Sequence, residues 1–406
     1  MKDQDNGRLA AAAAMIGEAR PIAASVRSSI PSFIVMDVMR AALAAENAGQ
    51  SVIHMEVGQP GTAAPRAARA AAARALEAET LGYTMALGND VLRARIAKLY
   101  SEWYGIAVAP QRIAVTAGSS AAFVLAFLAM FDAGEAVALP SPGYPCYRHI
   151  LTALGQRAVL LETGPSSEWM PTADDVVHAV RRDGIKGLLI ASPANPTGTM
   201  VSAPRLAELV GVCREHGVRL ISDEIYHGLT YERAAETALP HGDDVIVINS
   251  FSKYFSMTGW RVGWMVLPEA LVRSVERLSQ NLYISPPAIA QAAAMGAFDA
   301  ADELEANRRV YADNRALLLA ELPKAGFTSF APADGAFYLY CDVGDITGDA
   351  AALARSLLEE AGVAVTPGTD FDAQRGNQYL RFSYAGTTAD MAEAARRLQA
   401  WAGRRR

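Results

Sequence analysis

One lysine of this chain stands where it could act as an amine nucleophile. The chain has five lysines, and four have ordinary surroundings, namely a terminal segment, a polar helix side or a turn beside glycine: Lys2, Lys98, Lys186 and Lys324. Lys253 instead follows an apolar run, among serines and aromatic residues, in NSFSKYFSMTGWRVGW (249–264). An amine desolvated among apolar neighbours loses proton affinity and becomes nucleophilic, whereas a lysine that reaches the surface does not.

Polar residues also follow every strand that the pattern predicts in the middle of the chain. Short β-branched apolar runs alternate there with amphipathic segments, which indicates parallel strands covered by helices. The predicted strands are 112–116, 135–139, 187–192, 218–222 and 244–249. They are followed by AGSSAAF, PSPGYPCY, PANPTG, DEIY and SFSK. Ligands of open α/β sheets bind beyond the carboxyl ends of the strands, so one ligand could contact all five segments.

The residue types at these strand ends suit pyridoxal 5'-phosphate. A lysine that forms an imine with this aldehyde needs a protonated ring nitrogen as electron sink, and Asp223 could keep that nitrogen protonated. Asn195 and Tyr226 could donate to the ring oxygen, and Tyr144 could stack on the ring. Each residue is ordinary on its own, and Asp223 could simply cap a helix.

A phosphate group would find donors in two of the same segments. The candidates are small residues at a predicted helix start, two hydroxyls and one guanidinium: Gly118, Ser119, Ser120, Ser250, Ser252 and Arg261. Backbone N–H groups at a helix N-terminus and a forked cation are common phosphate ligands. Small residues and serines are equally typical of helix caps and turns.

Taken together, the sequence resembles the class I and II aminotransferases of pyridoxal-phosphate fold type I. The matching segments are SFSKYFSMTGWRVG, NPTG, DEIY, EVGQPG, YTMALGNDVLRARIAKLY and RFSYA, which spread over nearly the whole chain. The resemblance implies a ping-pong exchange of an amino group between an L-amino acid and a 2-oxo acid. Lys253 would form the internal aldimine with the cofactor, and Asp223 and Tyr226 would support it.

The resemblance also implies how substrate is held and how many chains are needed. Arg381 would grip the α-carboxylate, with Gly58 and Asn195 beside it. Tyr83 would reach the phosphate of the neighbouring subunit, which implies a homodimer with active sites at the subunit boundary. No basic residue stands out as a partner for a side-chain carboxylate, so specificity for aspartate is not predicted.

The predicted fold class is α/β, in two parts. A large domain with a mostly parallel sheet sandwiched by helices would span 58–299. A smaller α+β domain would combine 1–57 with 300–406. In this second part the pattern predicts a long helical stretch to about Leu322, strands at FYLYCDV and QYLRFSYA, and a last helix ending at Trp401.

Three other interpretations remain open. Elimination at a carbon–sulfur bond, racemisation or decarboxylation would start from the same lysine-bound cofactor. Ser250 and Lys253 also form an SxxK motif of serine acyl-transferring enzymes, although the accompanying KTG is absent. The third interpretation, a sensor half of a transcription regulator, is disfavoured because only about fifty residues precede EVGQPG, too few for a winged-helix domain.

Composition limits the remaining classes of function. The net charge of -6 gives no positive field for nucleic acid or anionic lipid, and no GxGxxG, P-loop, HExxH or HxH motif predicts a nucleotide or metal site. Cys146, Cys213 and Cys341 form no CxxC pair, which is typical of reduced cytoplasmic proteins. The apolar segment Leu9–Gly17 has no net positive flank, so we expect an alanine-rich extension rather than a signal peptide. No run reaches the roughly 18 apolar residues of a membrane span.

Overall fold

The computed structural model describes residues 22–405, so the predicted extension Leu9–Gly17 lies outside the described residues. Within that range the strands, numbered in chain order, are β1 Ile53–His54, β2 Ile113–Thr116, β3 Ala136–Ser141, β4 Arg157–Glu162, β5 Gly187–Ala191, β6 Arg219–Asp223, β7 Ile246–Ser250, β8 Gly263–Val266, β9 Ser329–Phe330, β10 Tyr338–Asp342, β11 Val363–Ala364, β12 Thr366–Pro367 and β13 Tyr379–Ser383.

The α-helices of the described residues are α1 Ile34–Asn47, α2 Arg66–Ala78, α3 Asp90–Tyr104, α4 Gly118–Met130, α5 Pro145–Ala153, α6 Ala173–Asp183, α7 Ala203–Glu215, α8 Glu269–Leu282, α9 Ala288–Ala297, α10 Ala301–Glu321, α11 Ala350–Ser356 and α12 Thr388–Gly403. None of the helices between residues 22 and 405 is long and apolar enough to cross a membrane.

The main sheet has seven strands in the order β2-β8-β7-β6-β5-β3-β4. All five predicted strands are present, so the predicted α/β class is confirmed. Strand β8 runs antiparallel to both β2 and β7, while the other neighbours pair in parallel. Strands β4 and β8 were not predicted from the sequence. Strand β4 lies at the sheet edge and carries charged residues at both ends, and β8 is only four residues long.

The main sheet is buried on both faces because successive side chains of its strands point to opposite sides. In β5, Leu188 and Ile190 join one hydrophobic cluster, and Leu189 joins the cluster on the other face. This explains why the central strands are continuous apolar runs. With both faces covered by helices, the ends of the strands are the places where a ligand can approach.

A second sheet of four antiparallel strands, β12-β13-β10-β9, lies in the C-terminal part. The early segment packs against this part of the chain. Strand β1 forms a separate two-stranded sheet with β11, in which Ile53 pairs with Val363, and Met55 lies in the hydrophobic cluster of the C-terminal part. The helical stretch predicted as far as Leu322 is divided into α8, α9 and α10. Pro286 and Pro287 account for the first interruption, because proline cannot continue a helix from the preceding turn.

Candidate active site

A cavity of about 220 Å³ opens at the carboxyl ends of the main-sheet strands. Most of the predicted site residues line it: Gly58, Ser119, Ser120, Tyr144, Asn195, Asp223, Tyr226, Ser252, Lys253, Arg261 and Arg381. Gly118, Ser250 and Tyr83 do not line it. The ends of the main-sheet strands therefore supply most of these residues, and Gly58 and Arg381 are added from segments outside that sheet.

Lys253 lies in the loop after β7, and its Nζ donates a hydrogen bond of 2.5 Å to the backbone oxygen of Gly58. Burial lowers the pKa of this amine to about 7, and the positive charges of Arg381 and Arg261 contribute to the lowering. The carboxylate of Asp223 acts in the opposite direction. At neutral pH a large fraction of Lys253 is therefore the neutral amine, the form that can act as nucleophile or base.

Asp223 is the last residue of β6 and is only 3% exposed. The Tyr147 hydroxyl donates to its Oδ2, and the Ile225 backbone N–H donates to its Oδ1 at 3.0 Å. Burial raises the pKa of Asp223 to about 6, although these two hydrogen bonds lower it. A buried acid of this kind suits a cationic ligand atom, which would favour its ionised form.

The Tyr147 contact was not predicted from the sequence. Tyr147 lies in the first turn of α5, three residues after Tyr144, and the two rings meet edge to face with centroids 5.2 Å apart. Its sequence segment PSPGYPCY offers two tyrosines at a strand end. Both tyrosines line the cavity, and only the fold decides that the Tyr147 hydroxyl reaches Asp223.

The start of α4 and the Lys253 loop form one end of the cavity. Gly118 has φ +77°, and a side chain there would overlap the guanidinium of Arg261, so the glycine is required for this approach. Arg261 itself is exposed and donates to the Thr258 backbone oxygen at 3.0 Å. Together these groups form a typical phosphate site, made of the helix N-terminus, the hydroxyls of Ser119 and Ser120 and the exposed guanidinium of Arg261.

Ser250 supports this end of the cavity from behind. Its Oγ is hydrogen-bonded to Ser252 Oγ at 2.7 Å and donates to the Val262 backbone oxygen at 3.0 Å. Lys253 Nζ is bonded to Gly58 instead. The Ser250 and Lys253 side chains thus do not form the serine–lysine pair that an acyl-transferring SxxK site uses.

Arg381 forms the opposite end of the cavity and is 1% exposed. Its Nη1 donates to Asn195 Oδ1 at 2.9 Å and its Nη2 to the Glu56 backbone oxygen at 2.5 Å. The guanidinium lies between the rings of Tyr338 and Phe371, at 4.4 and 4.7 Å from their centroids.

The hydrogen bonds of Arg381 within residues 22–405 all go to neutral oxygen atoms, and its Nε has no partner there. A buried cation without a carboxylate partner is costly unless a ligand supplies the negative charge. The geometry therefore suits a ligand carboxylate. The same bond to Arg381 fixes the Asn195 amide, whose NH₂ group remains a donor.

Tyr226 and Tyr338 lie between the two ends, with their hydroxyls 2.7 Å apart. Burial raises the pKa of both phenols, so both are neutral hydrogen-bonding groups. A side chain at position 58 would overlap the Tyr338 hydroxyl, which explains why Gly58 is glycine. Tyr338 was missed because FYLYCDV presents two tyrosines on a strand without any motif that marks a site.

Tyr83 lies away from the cavity of its own chain and is 85% exposed. It lines a separate groove between α2, α3 and α9. Its predicted contact with a neighbouring subunit needs a second copy of the chain and stays a prediction. No group of three or more His, Cys, Asp or Glu side chains that could hold a metal occurs among residues 22–405.

Comparison with known proteins agrees with this geometry. The model of the family Aminotransferase class I and II matches residues 50–398. The valine–pyruvate aminotransferase of Mycobacterium tuberculosis is 46% identical over 381 residues, covering 93% of this chain and 98% of that protein. An aspartate aminotransferase of Sulfurisphaera tokodaii is 30% identical over 360 residues, covering 86% of this chain and 90% of that protein.

Solved structures of aminotransferases also resemble this chain. The crystal structure of an aminotransferase from Mycobacterium tuberculosis matches with a TM-score of 0.92 and 45% identity, over 94% of this chain and 100% of that one. Aspartate aminotransferase from Thermus thermophilus with maleate matches with a TM-score of 0.87 and 31% identity, over 94% of this chain and 100% of that one. The predicted family and fold are confirmed: the chain belongs to the class I and II aminotransferases, a family of pyridoxal-phosphate-dependent enzymes.

Proposed function

We propose that this aminotransferase holds pyridoxal 5'-phosphate on Lys253 and moves the amino group of L-amino acids with apolar side chains to a 2-oxo acid. The observation that carries the proposal is a cavity that holds an amine with a pKa of about 7 and a buried acid at one end. At the other end lies a buried arginine that forms no ion pair with a carboxylate of the described residues. The first pair suits the cofactor, and the arginine suits the group that all amino acid substrates share.

The residues present fit the cofactor. Lys253 would carry its aldehyde carbon, Asp223 would face its ring nitrogen, and Tyr144 would lie against the ring. The start of α4 with Ser119, Ser120 and Arg261 would bind its phosphate, supported by Gly118, Ser250 and Ser252. When bound, the cofactor supplies the electron sink that makes the α-carbon of an amino acid acidic.

Lys253 would move the proton in this reaction. Burial lowers the pKa of its Nζ to about 7, so this amine can exchange a proton at neutral pH. Such an amine takes the proton from the substrate α-carbon at neutral pH and can return it, as a general base and acid should. Tyr226 and Asn195 would orient the reacting groups as neutral hydrogen-bond donors.

Arg381 would hold the substrate α-carboxylate, with Asn195 and the Gly58 backbone beside it. Its position between two aromatic rings restricts the guanidinium to one orientation, which favours bidentate binding of a planar carboxylate. Because it lies in the same cavity as Lys253, the α-carbon of a bound amino acid would face the amine.

The substrate side chain would meet an apolar wall. Phe33, Val35 and Met36 from the start of α1, together with Val57, line the cavity. Among the described residues the cationic side chains that line it are Lys253, Arg261 and Arg381, and each already has a role. A second carboxylate would therefore lack a partner, which disfavours aspartate and glutamate as first substrates. The 46% identical relative named a valine–pyruvate aminotransferase supports this preference.

The proposal includes a homodimer in the cytoplasm. Exposed apolar side chains near Tyr83, such as Met85, Val91 and Leu282, would be covered by a second subunit, and the phosphate end with exposed Arg261 would be closed by it. The free thiols Cys146, Cys213 and Cys341 suit a reducing compartment. We also keep the division into a cofactor-binding unit, 58–299, and a second unit of 1–57 with 300–406.

A substrate panel tests this proposal. Purified protein with pyridoxal 5'-phosphate should show a visible absorbance band, and valine, alanine or leucine should bleach it at lower concentrations than aspartate does. With pyruvate as acceptor, valine should yield its 2-oxo acid and alanine in equal amounts. Release of ammonia and an oxo acid without any acceptor would instead identify a lyase, and preference for aspartate would contradict the apolar assignment.

A further inference from the structure

Helix α1, which forms the apolar wall, is capped by a residue from the far end of the chain. Its own N-cap residue, Phe33, offers no side-chain hydrogen bond. Instead the Ile34 and Val35 backbone N–H groups donate to the two carboxylate oxygens of Asp370, at 3.2 and 3.3 Å. A carboxylate at this place satisfies two amide groups that a helix leaves without partners, and it interacts favourably with the helix dipole.

Asp370 is itself held firmly. It is 1% exposed, and Arg148 donates a 2.7 Å hydrogen bond to its backbone oxygen. The next residue, Phe371, lies against the guanidinium of Arg381. Phe371 also belongs to a small hydrophobic cluster into which Val35 of α1 packs. Two neighbouring residues thus hold the two opposite walls of the substrate space, Asp370 the apolar wall and Phe371 the arginine.

We infer that Asp370 is a specificity-determining positioning residue: by holding the start of α1, it sets the distance between Arg381 and the apolar wall. The length of substrate side chain that fits between them follows from this distance. Without the cap, the first turn of α1 would lose two hydrogen bonds, and Phe33, Val35 and Met36 could move outward. Small side chains would then lose their contacts, whereas larger ones would gain room. This inference rests on the proposed apolar substrate class.

The test compares Asp370→Ala and Asp370→Asn with the wild type, all loaded with the cofactor. In Asp370→Ala, the ratio of kcat/KM for valine to kcat/KM for phenylalanine should fall about tenfold, mainly through KM. Loss of an N-cap destabilises the start of a helix by a factor of about this size. Asp370→Asn keeps one oxygen acceptor, so its substrate ratio should lie between those of the wild type and Asp370→Ala. The visible absorbance band should be unchanged, because Asp370 does not line the cavity.

Amide hydrogen exchange supplies a structural measurement that does not depend on activity. The Ile34 and Val35 amides should exchange faster in Asp370→Ala than in the wild type, with or without cofactor. The matched control is Asp37→Asn, because Asp37 lies in the first turn of α1 but, within residues 22–405, its side chain bonds only to Ser32 and Arg40 at the surface. This control should leave both the substrate ratio and the two amides unchanged.

The outcomes separate the inference from the function on which it rests. Equal losses for all amino acids, or unchanged exchange at Ile34 and Val35, would overturn the role of Asp370 even if the wild type uses valine well. If the wild type fails to use any apolar amino acid, the proposed function is wrong instead. Should Asp370→Ala not fold, Asp370→Asn decides, and an unchanged substrate ratio in it counts against the inference.

Discussion

The two ends of the cavity are built in different ways. At the lysine end, the side chains follow neighbouring strands of one buried sheet, with Asp223 at the end of β6 and Lys253 after β7. Asn195, after β5, accepts a hydrogen bond from Arg381 and so links the two ends. At the arginine end, the walls come from α1, the segment 56–58, β10 and β13, and the loop that carries Asp370 and Phe371. One rigid scaffold thus positions the chemistry, and packing between distant segments forms the substrate space.

Because the two ends are built differently, we expect amino acid substitutions at the two ends to have different effects on activity. A substitution at the lysine end should abolish the reaction for every amino acid. A substitution at the arginine end should spare the cofactor and change which substrates bind and how tightly. Variants that mix the two kinds of effect would show that the ends are not separate.

The largest effect is expected from Lys253→Ala. The variant loses both the cofactor attachment and the base, so turnover should fall at least about a thousandfold and the visible absorbance band should be absent. Absorbance and a transamination assay measure the two effects. Lys98→Ala is the matched control, because Lys98 is a surface residue that pairs with Glu102. A Lys253→Ala protein that keeps the band would contradict the assignment.

The next largest effect is expected from Arg381→Leu. Removing the partner of a buried carboxylate costs about 2–5 kcal/mol, so kcat/KM should fall roughly 30-fold to several thousandfold for all amino acids. The visible band should remain. Arg214→Leu, at an exposed ion pair with Asp244, should have no effect. Equal affinity of the Arg381 variant for amino acids and for the corresponding amines without a carboxylate would confirm the role; unchanged kcat/KM would refute it.

The pH dependence of cofactor uptake tests the lowered pKa of Lys253. Only the neutral amine of Lys253 attacks an aldehyde, and with a pKa near 7 its neutral fraction rises from about a tenth at pH 6 to about nine tenths at pH 8. The rate at which the protein freed of cofactor takes up pyridoxal 5'-phosphate should therefore rise nearly tenfold between these values and then level off. An ordinary lysine would show a rise that continues beyond pH 9.

The same experiment in Arg381→Leu measures how strongly Arg381 affects the pKa of Lys253. Arg381 disfavours the charged form of Lys253, so its removal should raise the pKa of the amine and move the midpoint of the pH profile upward. A midpoint that does not move, or moves downward, would mean that the arginine end has no electrostatic influence on the lysine end.

The smallest effect is expected from Met36→Arg. Met36 lines the cavity and is partly exposed, so a guanidinium there can reach both the substrate space and solvent. We expect kcat/KM for valine to fall several-fold and that for aspartate to rise several-fold, which is the size of effect that one solvent-exposed ion pair produces. Competition assays with the two amino acids measure the ratio. A fall for both amino acids would show that the wall does not face the side chain.

The sequence predicted the lysine end better than the arginine end, for a physical reason. Strands buried on both faces are continuous apolar runs, so their ends are visible in the sequence, and Asn195, Asp223 and Lys253 stand directly after them. The contact of Tyr147 with Asp223 was still missed, because which face a helix turns toward the sheet is decided by packing.

The arginine end gave few signals of its own. Arg381 was predicted only through the resemblance of RFSYA to a family motif, and without it a strand arginine suggests a surface ion pair. No sequence pattern indicated the roles of Tyr338, Phe371 and Asp370. These roles depend on the pairing of β10 with β13 and on the docking of α1. The docking of α1 on Asp370 joins segments more than three hundred residues apart and follows from tertiary packing.

Reduction followed by peptide mapping shows in one measurement whether the cofactor is attached to Lys253. The purified protein with pyridoxal 5'-phosphate should be treated with borohydride, digested and analysed by mass spectrometry. We expect one modified peptide, carrying the reduced cofactor on Lys253, and a loss of the visible band in step with its formation. A modification on Lys98, Lys186 or Lys324 in its place, or no modification of a protein that has bound the cofactor, would contradict it.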